Sequence, residues 1–247
     1  MTLPLVDAHC HLDLYPNHEA AFASRDRNKI LTLAVTTTPR AWARNHELAS
    51  RTGHVKAALG LHPELVATGI DEFNIWEKFL PDAHFIGEVG LDASTRFCKS
   101  FGFQRDVFTK LLSACAKEGD KVLSVHSLRA VTPVLNLIEA HLPKSRGTVI
   151  LHWFTGTKAE ASRAINMGCY FSINSRMTRK EGNRKFLESL PIGRILTESD
   201  GPFAGSESEA LSIAELRDTV ISLAEIRQTD PSILAETIVS NFERLIR

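Results

Sequence analysis

The stretch LVDAHCHLD, residues 5–13, decides how this chain is to be read. Its apolar start reads as a buried strand. It then runs into His9-Cys10-His11, not into the Gly-rich phosphate turn that usually follows the first strand of a doubly wound α/β sheet. In an extended chain alternate residues share a side, so Asp7, His9 and His11 project together while Ala8 and Cys10 point the other way. Two imidazoles on one side of a strand invite a metal ion. An isolated His-x-His pair is equally compatible with ordinary packing, so the other strands have to decide.

Seven further short apolar runs bounded by turn residues follow: ILTLAVT (30–36), VKAALGL (55–61), FIGEVGL (85–91), VLSVHS (122–127), TVILHWF (148–154), YFSIN (170–174) and RILTES (194–199). The segments between them carry helical periodicity. In FQRDVFTKLLSACAKEG (103–119) the reading places Phe103, Val107, Leu111, Ala114 and Cys115 on one helical face. Eight strands alternating with helices in 247 residues have the size and rhythm of a TIM (β/α)8 barrel, and residues 1–247 are read as a single α/β domain of that kind. The tail DPSILAETIVSNFERLIR (230–247) opens with an Asp suited to an N-cap and a Pro suited to a first turn, so a final helix is expected to close the barrel.

A composition of 43% hydrophobic and 23% charged residues excludes a disordered or fibrous chain. Apolar runs such as ILTLAV stop at six residues, far below the roughly 18–20 that a membrane-crossing helix needs, so no membrane partner is expected. No basic segment precedes an apolar one at the N-terminus. Cys10, Cys98, Cys115 and Cys169 stand far apart without a CxxC pair, which suits reduced thiols and a cytoplasmic location. The 29 basic and 29 acidic residues cancel, so any surface for a polyanion has to be local.

Further histidines and acids stand at the C-terminal ends of the other strands: His62 in LGLHP, Glu88 in GEVGLD, His126 in VLSVHS, His152 in HWFTG and Asp200 in TESDGPF. A TIM barrel gathers those ends at one mouth, and this convergence outweighs any single motif. Imidazoles and carboxylates without thiolate suit zinc, manganese, iron or magnesium. His9, His11, Glu88, His126, His152 and Asp200 suit a site for two divalent ions, with Glu88 between them.

With those residues in hand, the chain resembles the TatD-type metal-dependent deoxyribonucleases of the amidohydrolase-like superfamily. DAHCHL, LGLHP, GEVGLD, the histidine of VLSVHS, HWFTG, TESDGPF and the closing NFERLI follow the family's order almost end to end. The resemblance implies two divalent ions, magnesium, manganese or zinc. It implies that His9, His11 and Asp200 hold one ion, that His126 and His152 hold the second, and that Glu88 bridges. It also implies that Asp200 orients or deprotonates the attacking water, that His62 touches the scissile phosphate, and that the partner is DNA, single-stranded by preference and degraded 3′ to 5′. More narrowly, HCHLDLYP (9–16), TTTPRAW (36–42) and TESDGPF (197–203) look like the TatD-family nuclease component of bacterial Qat-type anti-phage systems, which implies a defence role beside an ATPase and other system subunits.

The chain also departs from the family pattern. Leu128 stands where many members carry an arginine two residues after the strand-five histidine, with Arg129 following, and GEVGLDAST lacks the aromatic residue often found after GLD. Local features bear on substrate binding. Arg176, Arg179 and Lys180 lie in NSRMTRKEGNRKF (174–186), a phosphate-neutralising segment or simply a solvated helix face. Trp153 and Phe154 are candidates for base stacking, with core packing favoured for Trp153. Asp7 reads as a hydrogen-bond partner of a ligand imidazole or as a strand-end cap, Asp92 as the anchor of a loop, and Asn241 as a brace for the last helix. Two other readings are a lactone, amide or phosphotriester hydrolase of the same superfamily and a metal-bound scaffold subunit. Glu88, where many small-molecule hydrolases carry a carboxylated lysine, favours the nuclease branch.

Overall fold

A computed structural model describes residues 3–68, 72–204 and 208–246. The strands are β1 (Val6–Cys10), β2 (Leu31–Ala34), β3 (Val55–Leu59), β4 (Phe85–Gly90), β5 (Lys121–His126), β6 (Gly147–His152), β7 (Tyr170–Ile173) and β8 (Ile195–Thr197). Each falls inside or within a residue of its expected run. They form one parallel sheet in chain order with helices between them, which is the TIM (β/α)8 arrangement expected. Among the described residues no helix is long and apolar enough to cross a membrane. Packing divides the chain into two compact units, one of Met1–Ala34, Glu47–Lys56 and Tyr170–Arg247, the other of Val35–His46 and Ala57–Cys169.

In the first unit β1 pairs with β2, Val6 opposite Leu31 and Cys10 opposite Ala34, and β8 runs on the other side of β1. Thr197 Oγ1 donates to Val6 O at 2.6 Å. Beyond the strand ends Asp200 N donates to His9 O and His11 N to Gly201 O, both at 2.9 Å. The backbones carrying His9, His11 and Asp200 are thus stitched together. The last helix, Pro231–Glu243, starts as expected, with Asp230 accepting from Ser232 N at 2.8 Å and from Ile233 N at 3.3 Å. Asn241 braces it, its Nδ2 donating to Ile192 O and Ile195 O, both at 2.9 Å.

Beneath the edge that carries His9, His11 and Asp200 lies an ion cluster that sequence reading did not anticipate. Arg25, in the helix His18–Arg27, is 0% exposed. Its Nη1 lies 2.9 Å from Asp7 Oδ2, its Nη2 donates to Ser212 Oγ at 2.5 Å, and its Nε faces Glu209 Oε1 at 3.2 Å. Asp7 in turn accepts from Ser199 N at 2.8 Å and from Ser199 Oγ at 2.7 Å. A guanidinium taken out of water costs several kcal/mol unless it is paired, and here two carboxylates lie within ion-pair distance of it. The resulting chain of contacts runs from the first helix through β1 to the residue preceding Asp200.

In the second unit β4 carries an extra residue. Ile86 lies opposite Leu123, but Val89 lies opposite Val125, so the register shifts across Gly87 and Glu88. Such a bulge kinks a strand and re-aims its side chains. Backbone approach here is close enough to demand glycine: a Cβ on Gly60 would stand 1.6 Å from Thr36 O, and one on Gly90, at φ +140, 2.1 Å from His126 O. Close packing of neighbouring backbones accounts for both.

The helix Phe101–Glu118 corrects one expectation. Val107, Leu111 and Cys115 are buried, but Phe103 is 46% exposed and Ala114 only half-buried. The buried stripe is rotated toward Gln104, Phe108 and Leu112. Gln104 belongs to it because its amide clamps Asp92, accepting from Asp92 N at 2.8 Å and donating to Asp92 O at 3.1 Å. A polar residue in the stripe hid the true face from a hydrophobicity pattern.

Replacing Arg25 by alanine leaves Asp7 buried without its cation, and the expected loss of stability is about 3–5 kcal/mol. In a double-mutant cycle measured by chemical denaturation, Arg25→Ala with Asp7→Ala should cost at least about 1 kcal/mol less than the sum of the two single changes. Additive losses would mean that the pair is not coupled.

Candidate metal centre

Two groups of expected ligands are built separately, one in each unit. In the first, His9, His11 and Asp200 are all buried. His9 ends up inside β1, while His11 follows it and opens the short 3-10 turn Leu12–Leu14. Their Nε2 atoms lie 3.7 and 3.8 Å from one and the same oxygen, Asp200 Oδ1, and their rings cross at 73° with centroids 5.1 Å apart. Those separations exceed a hydrogen bond. They are the spacing reached by donors that each sit about 2.0–2.2 Å from a common ion, so this donor set fits a zinc-like or harder divalent cation.

Asp200 holds its position at φ +49, a left-handed backbone that aspartate tolerates better than most side chains. The chain then turns sharply, Phe203 N and Ala204 N both donating to Asp200 O at 2.8 and 3.2 Å. A Cβ on Gly201 would stand 2.1 Å from the Tyr15 hydroxyl, so a larger residue in that turn would have to displace the Tyr15 ring. Two residues before Asp200, Glu198 is fully buried and was not singled out from sequence. It accepts from Ser172 Oγ and, at 2.9 Å, from Asn174 Nδ2, while Asn174 Oδ1 caps the helix Ser175–Arg179.

In the second unit three imidazoles surround a single oxygen, Glu88 Oε1. His126 Nδ1 stands at 2.8 Å, His62 Nε2 at 3.3 Å and His152 Nε2 at 3.6 Å. His62, Glu88 and His126 form a group close enough to hold a metal ion. The two histidines differ in what occupies their second nitrogen. His62 Nδ1 accepts the Glu64 N–H at 3.1 Å, which leaves the ring proton on Nε2 and makes that nitrogen a donor. His126 Nε2 instead meets Asp92 Oδ2 at 3.2 Å. Burial alone would lower the His126 pKa, but its hydrogen bonds to Asp92 and Glu88 prevail and push it up to about 9. Burial likewise works against the Asp92 carboxylate, yet His126 and the Ser94 hydrogen bond hold it down at about 2.

Asp92 anchors its loop as expected, accepting from Ser94 N at 2.7 Å. Its contact with His126 is the part sequence reading missed. The GLD motif marked the residue but not its direction. Asp7, read as a partner of an imidazole or as a strand-end cap, binds Ser199 and Arg25.

The expected substrate contacts are less uniform. Arg129, at φ +54, and its neighbour Leu128 are exposed. Trp153 is half-buried at φ +40, its ring centroid 6.3 Å from that of His152. Phe154 is buried and offers no face to a base. Arg176, Arg179 and Lys180 are all exposed, and Arg176 uses its Nε to hold Ala204 O at 2.8 Å. Arg184 in the same basic segment pairs with Glu188 at 3.2 Å.

Residues 6–247 match the family described as TatD related DNase. The chain is 29% identical to human deoxyribonuclease TATDN3 over 225 residues, which cover 83% of this chain and 80% of that one. It is 26% identical to the metal-dependent hydrolase YjjV of Escherichia coli K12 over 98% of this chain and 97% of that one. The crystal structure of YjjV, described as a TatD homologue, superposes with a TM-score of 0.84 at 23% identity, covering 98% of this chain and 97% of that chain. The fold of this chain is therefore theirs. A match that spans nearly every residue, on a chain whose strand ends carry the histidines and carboxylates such chemistry needs, makes this protein a member of the TatD-related DNase family of metal-dependent hydrolases acting on ester bonds.

Proposed function

We propose that this chain hydrolyses phosphodiester bonds of DNA, removing nucleotides from single-stranded 3′ ends. The observation that supports it best is the crowding of three imidazole nitrogens within 3.6 Å of one oxygen of Glu88. Three imidazoles around one carboxylate oxygen are costly as a purely structural device and useful as a cation site. Under the proposed assignment His9, His11 and Asp200 would hold one divalent ion, and His126 and His152 a second, with Glu88 among the ligands. Such ions, magnesium, manganese or zinc, would supply an activated water and offset the charge of the phosphate.

The protein's own groups do the rest. Asp200, next to Ser199 and fixed in its turn, orients the water and takes its proton. His62 donates from Nε2 to a phosphate oxygen, since its other nitrogen is committed to Glu64 N. Asp92 holds the His126 ring in place from its far side. Exposed Arg129, Arg179 and Lys180 draw in the strand and neutralise neighbouring phosphates, while Arg176 and Trp153 border it. The four free cysteines, three of them buried, suit action in the cytoplasm. The narrower motif likeness extends the proposal to anti-phage defence beside an ATPase and further subunits.

Chelator-stripped protein given end-labelled single-stranded DNA should form a ladder of shortened products once magnesium, manganese or zinc is added. Asp200→Asn should lower the rate at least about 10²-fold with an unchanged circular dichroism spectrum. No ladder with any of the three ions would remove the nuclease reading. His62 and His126 should separate in a second experiment. His62→Gln is expected to keep the metal content of the wild type and lose about 10²–10³-fold in kcat, whereas His126→Ala should lose bound metal by elemental analysis. Metal loss in His62→Gln would make His62 a ligand.

A further inference from the structure

Among the large hydrophobic residues exposed in the described chain, Phe203 is 58% accessible. Scattered exposed apolar residues are ordinary and need no explanation. Phe203 differs from Phe103, the other such aromatic, in two respects. Its ring lies against that of His11, centroids 5.0 Å apart at 86°, so an open aromatic surface begins where a candidate ligand ends. It also sits on a turn held from several sides. Phe203 N and Ala204 N donate to Asp200 O, His11 N donates to Gly201 O, and Gly201 N donates to Ser199 Oγ at 3.2 Å. On the far side of Phe203, Arg176 Nε holds Ala204 O at 2.8 Å. An aromatic ring fixed in this way loses little further freedom when something packs on it.

The chain also lacks an aromatic residue in its GLDAST segment, and Phe154 is buried. Phe203 is therefore the exposed ring that adjoins His11, three residues beyond Asp200. We infer that Phe203 is the platform on which the nucleobase next to the scissile phosphate stacks, an inference that rests on the DNA-cleaving reading above. Stacking accepts any base, because every base has a π-face, so this contact sets the reach and register of a strand end without reading its sequence. Arg176, which fixes Ala204, acts here as a positioning residue.

The test compares two short single-stranded oligonucleotides, both made cleavage-resistant by phosphorothioate linkages at the 3′ end. One carries a base on its terminal nucleotide and the other is abasic there. Binding to metal-loaded protein is followed by fluorescence anisotropy. In the wild type the base-bearing end should bind roughly 5- to 150-fold more tightly than the abasic end. Phe203→Ala should bring that ratio toward one, and Phe203→Tyr should restore it. An unchanged ratio in Phe203→Ala, an equal loss for both oligonucleotides, or no binding of either by the wild type overturns the inference. A ratio that depends on Phe203 in a protein that never cleaves the unmodified strand supports the stacking platform and removes the nuclease reading instead.

Discussion

The edge of the first unit that carries His9, His11 and Asp200 depends on one buried carboxylate. Asp7 has no access to solvent, and it is satisfied only because Arg25 faces it from the helix His18–Arg27 while Ser199 donates twice from the chain after β8. Remove the cation and the carboxylate must protonate or pull away. Either outcome loosens Ser199 and with it the turn that presents Asp200. A site of this kind tolerates little displacement, because the separations of 3.7 and 3.8 Å from Asp200 Oδ1 to the two imidazoles leave room for an ion and not for much else. The polar cluster below therefore sets the precision of the polar cluster above.

A different device serves the second unit. There the strands themselves do the aiming: the register shift in β4 falls on Gly87 and Glu88, and glycines at 60 and 90 let backbones approach closer than any side chain allows. Both devices place carboxylates beside imidazoles, one by an ion pair and one by backbone geometry. Their mutational signatures should differ accordingly, since a lost ion pair can be partly compensated by removing its partner, while a lost glycine cannot.

What was legible in the sequence follows from this distinction. The eight strands were readable because apolar runs bounded by turn residues are a local signal, and the histidines at their ends were readable because strand ends have a defined place in such a fold. Arg25 was not, because HEAAFASRDR has no apolar stripe and its arginines all look solvated. Nor was the buried stripe of Phe101–Glu118, whose polar member Gln104 is explained only by the Asp92 backbone it clamps. Glu198 and the contact of Asp92 with His126 were invisible for the same reason. Their partners, Ser172 and Asn174 for one and His126 for the other, lie 24 to 34 residues away and announce themselves by direction, which periodicity does not encode.

His62 and His126 show how direction becomes chemistry. Both approach the same oxygen of Glu88, at 3.3 and 2.8 Å, and a list of residue types would treat them alike. A backbone N–H on the second nitrogen of His62 demands a lone pair there, so its proton is confined to Nε2 and that nitrogen can only donate. Carboxylates stand on both nitrogens of His126, Glu88 on one and Asp92 on the other, and each favours a proton on the nitrogen it faces. A cation can take the place of one of those protons while the remaining carboxylate keeps the other, the pairing by which ligand imidazoles are usually held. His62 could offer a lone pair at Nε2 only by shifting its proton to Nδ1 and giving up Glu64. The proposed roles, substrate for His62 and metal for His126, rest on that difference, which is made by the atoms on each ring's second nitrogen.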